Sequence, residues 1–241
     1  MNRNERPSFT FLGHSTVHCE LPDGRVILID PLVQNNPACP DDLKSFERID
    51  AILITHGHFD HMLDAVEIAN RYKPEIVVAN YEICEWLKSK GVENTSGMNI
   101  GGSQEVLGTR VTQVMAHHSS AILDGDRLVN GGSASGFVVA LPNGYTFYHA
   151  GDTALFSDMK LIADLYRPHL GFLPIGDVFT MDPQQAALAC KFVQVREVVP
   201  VHWGTFPLLT GTPEKLEAEL SNLGVNCKVI TLQPGDRYPG A

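Results

Sequence analysis

Three of the ten histidines and one aspartate of the chain lie within six consecutive residues, from His56 to His61. The full segment reads Thr55-His56-Gly57-His58-Phe59-Asp60-His61, and it directly follows the apolar run Ala51-Ile52-Leu53-Ile54. Neutral imidazole is the commonest protein ligand for borderline transition metals, and a nearby carboxylate adds negative charge that helps to hold a second cation. Because a short apolar run is typical of a buried strand, the segment predicts a metal site at the end of a strand.

The spacing within this segment is compatible with two neighbouring ions. Side chains two apart on an extended strand leave on the same side but lie roughly 7 Å apart, so His56 and His58 share an ion only where the backbone curls. Gly57 between them gives the backbone that freedom. Asp60 and His61 open the following helix and point in another direction, which suits a second ion beside the first.

Three later segments carry further candidate ligands at the ends of predicted strands. They are Ala116-His117-His118-Ser119, Tyr148-His149-Ala150-Gly151-Asp152-Thr153 and Pro200-Val201-His202-Trp203-Gly204-Thr205. Strand ends that meet at one edge of a sheet are where α/β proteins build sites, so Asp152 and His202 become candidate ligands. Neighbouring strand residues point to opposite faces, so only one of His117 and His118 can face the ions. We favour His118, which directly precedes small residues.

The remaining chain alternates predicted strands and helices in two similar halves, the second starting near Asn99. Apolar or alternating runs predict strands at residues 8–21, 25–30, 51–55, 76–79, 105–116, 136–141, 145–149, 170–175 and 198–201. Helical spacing, prolines and capping residues predict helices at residues 63–73, through 86–88 to about 91, 155–166, 183–195 and 213–223. These patterns indicate an α/β fold in one continuous domain over residues 1–241.

Composition narrows the location and the partners. No apolar stretch approaches the roughly 18 residues needed to span a bilayer, and the polar start of the chain contains no secretory apolar region, so a cytoplasmic location without a membrane partner is expected. The five cysteines are widely spaced and odd in number, which indicates reduced thiols. The formal net charge is −10 and basic residues form no run, so no nucleic-acid partner is expected. The oligomeric state is not predicted.

Four features of residues 56–202 resemble a metallo-β-lactamase-fold hydrolase and occur in the order found in that family. They are the His-x-His-x-Asp-His segment, the middle-strand histidine, Gly151-Asp152-Thr153 and the late strand-end histidine. Leu12-Gly13-His14-Ser15-Thr16 and the Ala-His-His-Ser segment are similar to the branch that includes L-ascorbate-6-phosphate lactonase-like proteins. The resemblance implies a four-layer αββα sandwich.

The resemblance also implies roles for individual side chains. It assigns His56, His58 and His118 to a first divalent ion, Asp60, His61 and His202 to a second, and Asp152 to a bridge between them. Asp30 resembles the family's acidic residue behind the metal site and is expected to orient a ligand imidazole. His14 is left open between a substrate contact, a support behind the ligands, a further ligand and a structural residue, and His117 is kept as a second candidate. His149, His18 and His169 are expected to be structural.

The activity implied by this resemblance is hydrolysis of a small ester, lactone or phosphodiester by a metal-bridging hydroxide, with Asp60 and Asp152 taking part in catalysis. The donor set favours two zinc ions and tolerates manganese, iron or nickel. One alternative is a ribonuclease or another nucleic-acid-processing phosphodiesterase. The other alternative is a diiron redox protein, although relatives of that kind carry glutamate where His58 stands and append a flavin-binding domain.

Overall fold

A computed structural model describes residues 6–239, which form two mixed seven-stranded sheets and a separate hairpin. The first sheet contains β1 (Ser8–Phe11), β2 (Val17–Glu20), β3 (Val26–Ile29), β4 (Ala51–Leu53), β5 (Ile76–Asn80), β6 (Thr95–Met98) and β16 (Arg237–Tyr238). Its strand order is β16-β1-β2-β3-β4-β5-β6. Strands β3, β4, β5 and β6 run parallel to one another, so their carboxyl ends meet at one edge of the sheet.

The second sheet follows the same plan in the other half of the chain. Its strands are β7 (Ser103–Val106), β8 (Thr109–Met115), β11 (Ser135–Ala140), β12 (Thr146–His149), β13 (Leu170–Pro174), β14 (Glu197–Val201) and β15 (Lys228–Val229). They lie in the order β15-β14-β13-β12-β11-β8-β7, with β12 to β15 parallel. The separate hairpin consists of β9 (Ala121–Asp124) and β10 (Arg127–Asn130).

The central strands are apolar on both faces because each sheet is covered on both sides. Ile27 and Ile29 of β3 point into a core shared by the two sheets, whereas Leu28 between them packs towards helices. Phe9 joins the sheets, since its ring meets those of Phe147 and Phe172 edge-on at centroid distances of 5.0 and 5.1 Å. Continuous apolar strands of this kind are expected where a sheet is buried on both faces.

Among residues 6–239, six α-helices complete the outer layers. They are α1 (Phe59–Met62), α2 (Ala65–Tyr72), α3 (Tyr81–Ser89), α4 (Met159–Tyr166), α5 (Pro183–Val193) and α6 (Pro213–Asn222). The predicted start of α5 is confirmed: the Asp182 carboxylate accepts a hydrogen bond from the Gln185 amide, and Pro183 occupies the first turn. The first three helices contact one sheet and the last three the other, which confirms the predicted four-layer αββα sandwich.

The prediction of one strand over residues 8–21 is wrong, because the chain turns back on itself between β1 and β2. The two strands pair antiparallel from Ser8 opposite Glu20 to Phe11 opposite Val17. Gly13 and His14 occupy the left-handed region with φ of 92° and 59° and form the turn. This hairpin carries His14 to the edge of the sheet where the parallel strands end.

Other predicted boundaries shift for local reasons. The predicted strand 105–116 is divided by a tight turn at Leu107 and Gly108, both with positive φ. The predicted helix 155–166 begins only at Met159, since the Phe156 ring instead stacks on His117 at a centroid distance of 4.6 Å. The predicted strand 51–55 ends at Leu53, and the hairpin of β9 and β10 was not predicted at all.

Residues 1–5 and 240–241 lie outside the described part of the chain, so the expectations for the polar start and for one domain over residues 1–241 stay predictions. Within residues 6–239, no helix combines the length and the apolar character needed to cross a bilayer.

Candidate metal centre

Eight side chains converge in two adjacent groups at the edge where the parallel strands end. Within each group, the donor atoms lie within 4.8 Å of one another. We call His56, His58, His118 and Asp152 cluster 1, and His14, Asp60, His61 and His202 cluster 2. All seven predicted ligands are therefore brought together, and His14 joins them.

The strand ends explain this convergence. His56 and His58 follow β4, and the extended backbone of His58 caps the short helix α1, which presents Asp60 and His61. His118, Asp152 and His202 follow β8, β12 and β14 in the second sheet. Each ligand thus comes from a different loop on a rigid sheet, except for the closely spaced residues of the first segment.

The cluster 1 nitrogens have the separations expected of neighbours around one ion. Nε2 of His56 lies 3.0 Å from Nδ1 of His58, and Nε2 of His118 lies 3.2 Å from the same Nδ1. Metal–nitrogen bonds of 2.0–2.1 Å in a tetrahedron place neighbouring donors about 3.3 Å apart. Three imidazoles therefore form one face of a site of the right size for a small divalent cation.

The carboxylate of Asp152 lies between the two clusters. Its Oδ1 is 3.3 Å from Nε2 of His61, and its Oδ2 is 3.1 Å from Nε2 of His202. The same Oδ2 is 3.8 Å from Nε2 of His56 and 3.6 Å from Nε2 of His118. One carboxylate therefore faces ligands of both clusters, as a bridging ligand would.

Several polar atoms of the two clusters lack a well-formed hydrogen bond among the described residues. They are Nε2 of His61, Oδ1 of Asp152 and Nε2 of His202, and all three are buried. Buried polar atoms without partners are rare in proteins, because each loses its hydration without compensation. Cations bound at the two clusters would satisfy these atoms, so the residues present fit a pair of divalent ions.

A buried network behind the clusters fixes two of the imidazoles. The Asp30 carboxylate accepts hydrogen bonds from the backbone amide and the hydroxyl of Thr55, each at 2.8 Å. The same carboxylate lies 2.8 Å from Nδ1 of His61, and the Thr55 hydroxyl lies 3.0 Å from Nδ1 of His56. With their Nδ1 protons donated into this network, both histidines direct Nε2 towards the clusters. Asp30 thus occupies the predicted place behind a ligand imidazole.

The rings of the two neighbouring histidines lie in different surroundings. His118 belongs to cluster 1, whereas His117 is exposed and stacks on Phe156. His149 is buried and belongs to neither cluster: its Nε2 lies 3.1 Å from the Ser15 carbonyl oxygen and its Nδ1 accepts a hydrogen bond from the Gly151 amide. His149 therefore has the contacts of a structural residue.

The histidine pKa values are lowered in cluster 1, whereas those of His61 and His202 in cluster 2 are raised. Burial lowers the pKa of His56 far below its usual value and also lowers the pKa of His58 and His118, so the cluster 1 imidazoles are neutral. Burial opposes a charge on His202 as well, but the Asp152 and Asp60 carboxylates outweigh it and raise the pKa of His202 to about 9. The pKa of His61 is raised for the same reason, by Asp152 and Asp30.

Three residues of the centre have left-handed backbone. His14, Asp30 and His202 are non-glycine residues with φ of 59°, 49° and 56°. Left-handed backbone at such residues is uncommon and costs of order 1–3 kcal/mol each, and it persists where surrounding contacts hold it in place. The His202 amide, for example, donates to the His14 carbonyl oxygen at 2.6 Å, which joins the two turns.

Two features of the centre differ from the expectations. Gly57 is not in the left-handed region, and the reason for a glycine is space: a Cβ there would lie 2.9 Å from Cγ1 of Ile122 on the hairpin. Sequence reasoning also missed Thr55, whose hydroxyl links Asp30 to His56. Its place directly between a strand and the first histidine was the available signal.

A cleft of about 500 Å³ opens above the two clusters. Its floor is formed by the ligands His58, Asp60, His118, Asp152 and His202, together with Ser119. Its walls are apolar and consist of Phe59, Phe179, Phe206, Leu208 and Leu209. The volume is in the range of small-molecule sites, so the centre is reachable by a small substrate.

Comparison with known proteins gives consistent matches over nearly the whole chain. A family model described as a beta-lactamase superfamily domain matches residues 25–203. A UPF0173 metal-dependent hydrolase from Koribacter versatilis is 49% identical over 229 residues, which cover 95% of this chain and 96% of that protein. A protein of the same description from Solibacter usitatus is 49% identical over 226 residues, covering 94% and 96%.

A solved structure matches equally fully. Igni18, a metallo hydrolase from the archaeon Ignicoccus hospitalis, is 35% identical and superposes with a TM-score of 0.83. The match covers 98% of this chain and 99% of that chain. The similarity therefore includes every segment that supplies a residue of the two clusters.

Proposed function

The chain belongs to the UPF0173 family of metal-dependent hydrolases in the metallo-β-lactamase superfamily, and from this premise we propose that it hydrolyses a small ester, lactone or phosphodiester. The observation that carries the proposal is the position of Asp152 between two clusters of imidazoles and carboxylates. A pair of adjacent divalent ions is the arrangement that hydrolases use to activate water and to stabilise a developing oxyanion together.

The proposal gives each side chain a task. His56, His58 and His118 would hold one ion, and Asp60, His61 and His202 would hold the other, while the Asp152 carboxylate, which faces both clusters, would serve as a ligand shared by the two sites. When bound, the ions supply an activated water and a Lewis acid for the substrate oxygen. The Asp60 side chain is 15% exposed, against 2% for Asp152, so Asp60 is the carboxylate that can also accept a hydrogen bond from the attacking water and orient it.

The identity of the ions follows from the donor atoms. Imidazoles with a few carboxylates suit zinc, which we propose as the physiological metal, and the same set accepts manganese, iron or nickel. A redox role on the same fold is not favoured, because the relatives that are 49%, 49% and 35% identical and match over nearly the full length of both chains are described as hydrolases.

The proposed substrate is a small molecule and not a nucleic acid. The net charge of −10 opposes a phosphate backbone, whose binding depends on several basic contacts. A lactone is included because the resemblance of the Leu12–Thr16 segment is to lactonase-like proteins.

The neighbouring histidines provide the test. Metal-free protein is reloaded with Zn²⁺ or Mn²⁺ and assayed on chromogenic esters, a lactone, a chromogenic phosphodiester and structured RNA. We expect turnover of at least one small substrate, restored by metal, abolished in His118→Ala and retained in the matched variant His117→Ala. Salt-sensitive RNA cleavage that exceeds turnover of every small substrate, or equal activity of the two variants, would overturn the proposal.

A further inference from the structure

The walls of the cleft above the clusters are apolar and stand in contact with solvent. Phe59, Phe179 and Leu208 are 49%, 53% and 57% exposed, although each lines the cleft. Phe206 closes one end, where its ring meets that of His14 edge-on at 5.3 Å. Large exposed apolar side chains around the candidate metal ligands form a surface that the apolar group of a bound substrate would cover.

The same walls carry no cationic side chain. The segments that supply the cleft, residues 57–62, 117–123, 151–156, 176–181 and 202–211, contain no lysine or arginine. Lys215 reaches one of them, but its ammonium donates to the Thr210 carbonyl oxygen at 2.9 Å and does not line the cleft. Asp177, two residues before Phe179 in the chain, is exposed, so the only charged side chain of the 176–181 segment is acidic. A substrate with an anionic tail would find no counter-charge beyond the floor.

The backbone that presents Phe179 is itself under strain. Asp177 and Val178, which directly precede it, have φ of 66° and 57°. Positive φ is a marked outlier for a β-branched residue such as valine, and strain of this kind is retained at functional sites. The position of Phe179 at the cleft is therefore held by strained backbone, although its ring is half exposed to water. Contact of this ring with a bound ligand would account for that strain.

We propose that the cleft selects an uncharged ester or lactone with an apolar acyl group, which lies against Phe59, Phe179 and Leu208 while its carbonyl meets the floor. This inference rests on the proposed hydrolase function. In the reaction, the water oxygen forms a bond to the carbonyl carbon and the bond from that carbon to the alkoxy oxygen breaks. One water proton ends on the leaving oxygen, and the products are the acid and the alcohol. An anionic phosphodiester is a poor substrate in this view.

A chain-length series tests the inference. The metal-loaded protein is given p-nitrophenyl acetate, butanoate and octanoate, the anionic monoester p-nitrophenyl succinate and bis(p-nitrophenyl) phosphate. Burying one methylene group yields about a fourfold gain at most, so we expect kcat/KM to rise about two- to fourfold per methylene until the wall is covered. The succinate ester should be slower than the butanoate by about tenfold or more. Rates independent of length, or fastest for the anionic substrates, would overturn the inference.

Wall variants locate the effect. Phe179→Ala and Leu208→Ala change half-exposed residues, so the fold is expected to tolerate them, and each should reduce kcat/KM for the octanoate about five- to tenfold while changing the acetate less than twofold. The matched control is Leu165→Ala, which removes a 68% exposed leucine from α4, outside the cleft, and should change neither. Phe179→Lys should shift preference from the butanoate towards the succinate ester. A wall variant that behaves like Leu165→Ala on all substrates would contradict the assignment.

Binding to the metal-free protein separates this inference from the proposed function. Calorimetric titration with the uncharged amide N-methyloctanamide should show binding that Phe179→Ala weakens, whereas N-methylacetamide should not bind measurably. Binding of the longer amide without turnover of any ester, lactone or phosphodiester by the metal-loaded protein would support the apolar preference of the cleft and overturn the hydrolase assignment. Ester turnover without binding of the amide and without chain-length dependence would support the hydrolase assignment and overturn the apolar preference of the cleft.

Discussion

Nε2 of His14 lies 2.9 Å from Oδ2 of Asp60, although the two residues are 46 positions apart. The contact depends on the hairpin between β1 and β2, whose left-handed turn carries His14 into cluster 2. Burial lowers the pKa of His14 to about 4, so the ring is neutral. The separation fits a hydrogen bond, and it also fits two neighbouring donors on one ion. In both cases His14 positions the Asp60 carboxylate, which is a candidate ligand of a second ion.

Replacing His14 should therefore weaken one metal site selectively. We expect His14→Asn to lower the affinity of cluster 2 about 10- to 100-fold and to leave cluster 1 unchanged, because loss of a ligand or of its support typically has this effect. Asparagine tolerates the left-handed backbone, so the fold is kept, but its side chain is too short to reach Asp60. Chelator competition measures both affinities, with His18→Asn as the control. Unchanged two-site binding in His14→Asn would contradict this role.

Thr55 should link stability to metal binding. Thr55→Val keeps the volume but removes the hydroxyl that lies between Asp30 and His56. We expect a loss of about 1–3 kcal/mol in the free energy of unfolding together with weaker metal binding. Thr109→Val is the matched control, since it removes one buried hydrogen bond at the β7–β8 turn, away from the clusters. Urea unfolding of the metal-free proteins and metal titration compare them. Equal metal affinity of the two variants would refute the role of Thr55.

Replacing Asp152 should weaken metal binding more than replacing its buried neighbour His149. Asp152→Ala removes the only carboxylate that faces both clusters among the described residues, so both ions should bind more weakly, by more than the 10- to 100-fold loss for a single support. His149→Ala should cost stability through its bonds to Ser15 and Gly151 but leave the ligand set intact. Metal content after dialysis distinguishes them, and equal content with equal activity would argue against the bridge.

Much of this centre could be predicted because its chemistry is local in the sequence. His56, His58, Asp60 and His61 are dense enough to stand out, and Asp152 and His202 mark strand ends. The position of His14 could not be predicted in the same way, since it depends on a hairpin within a run that reads as one strand. The difference between His118 and His117 depends on a long-range contact, because the His117 ring stacks on Phe156.

The fold was predicted at the level of its layers for a similar reason. Apolar runs identify strands buried on both faces, such as β3 and β14, and proline with a capping residue marks α5 and α6. The cleft walls escaped prediction because Phe179 and Leu208 lie in loops whose paths are set by long-range contacts. The Thr210 amide, for instance, donates to the Gly176 carbonyl oxygen, which joins the two loops.

Proton release should reveal the order of metal binding. At pH 7, the raised pKa values of His61 and His202 keep these rings protonated in the metal-free protein, whereas the lowered pKa values of His56, His58 and His118 keep cluster 1 neutral. Ion binding requires neutral imidazole, so loading of cluster 2 should release up to about two protons and loading of cluster 1 none. Release should fall as the pH rises through about 9, where His202 loses its proton. Calorimetry in buffers of different ionisation enthalpy measures this, and equal release from both clusters would contradict it.

The number of ions per chain tests the account most directly. Metal-free protein dialysed against Zn²⁺ or Mn²⁺ and analysed by mass spectrometry should contain two ions per chain, while His118→Ala and His61→Ala should each retain one. The same preparations should regain ester turnover only when both ions are present. A protein that binds no ion after reloading, or that still binds two in both variants, would contradict the assignment of the two clusters.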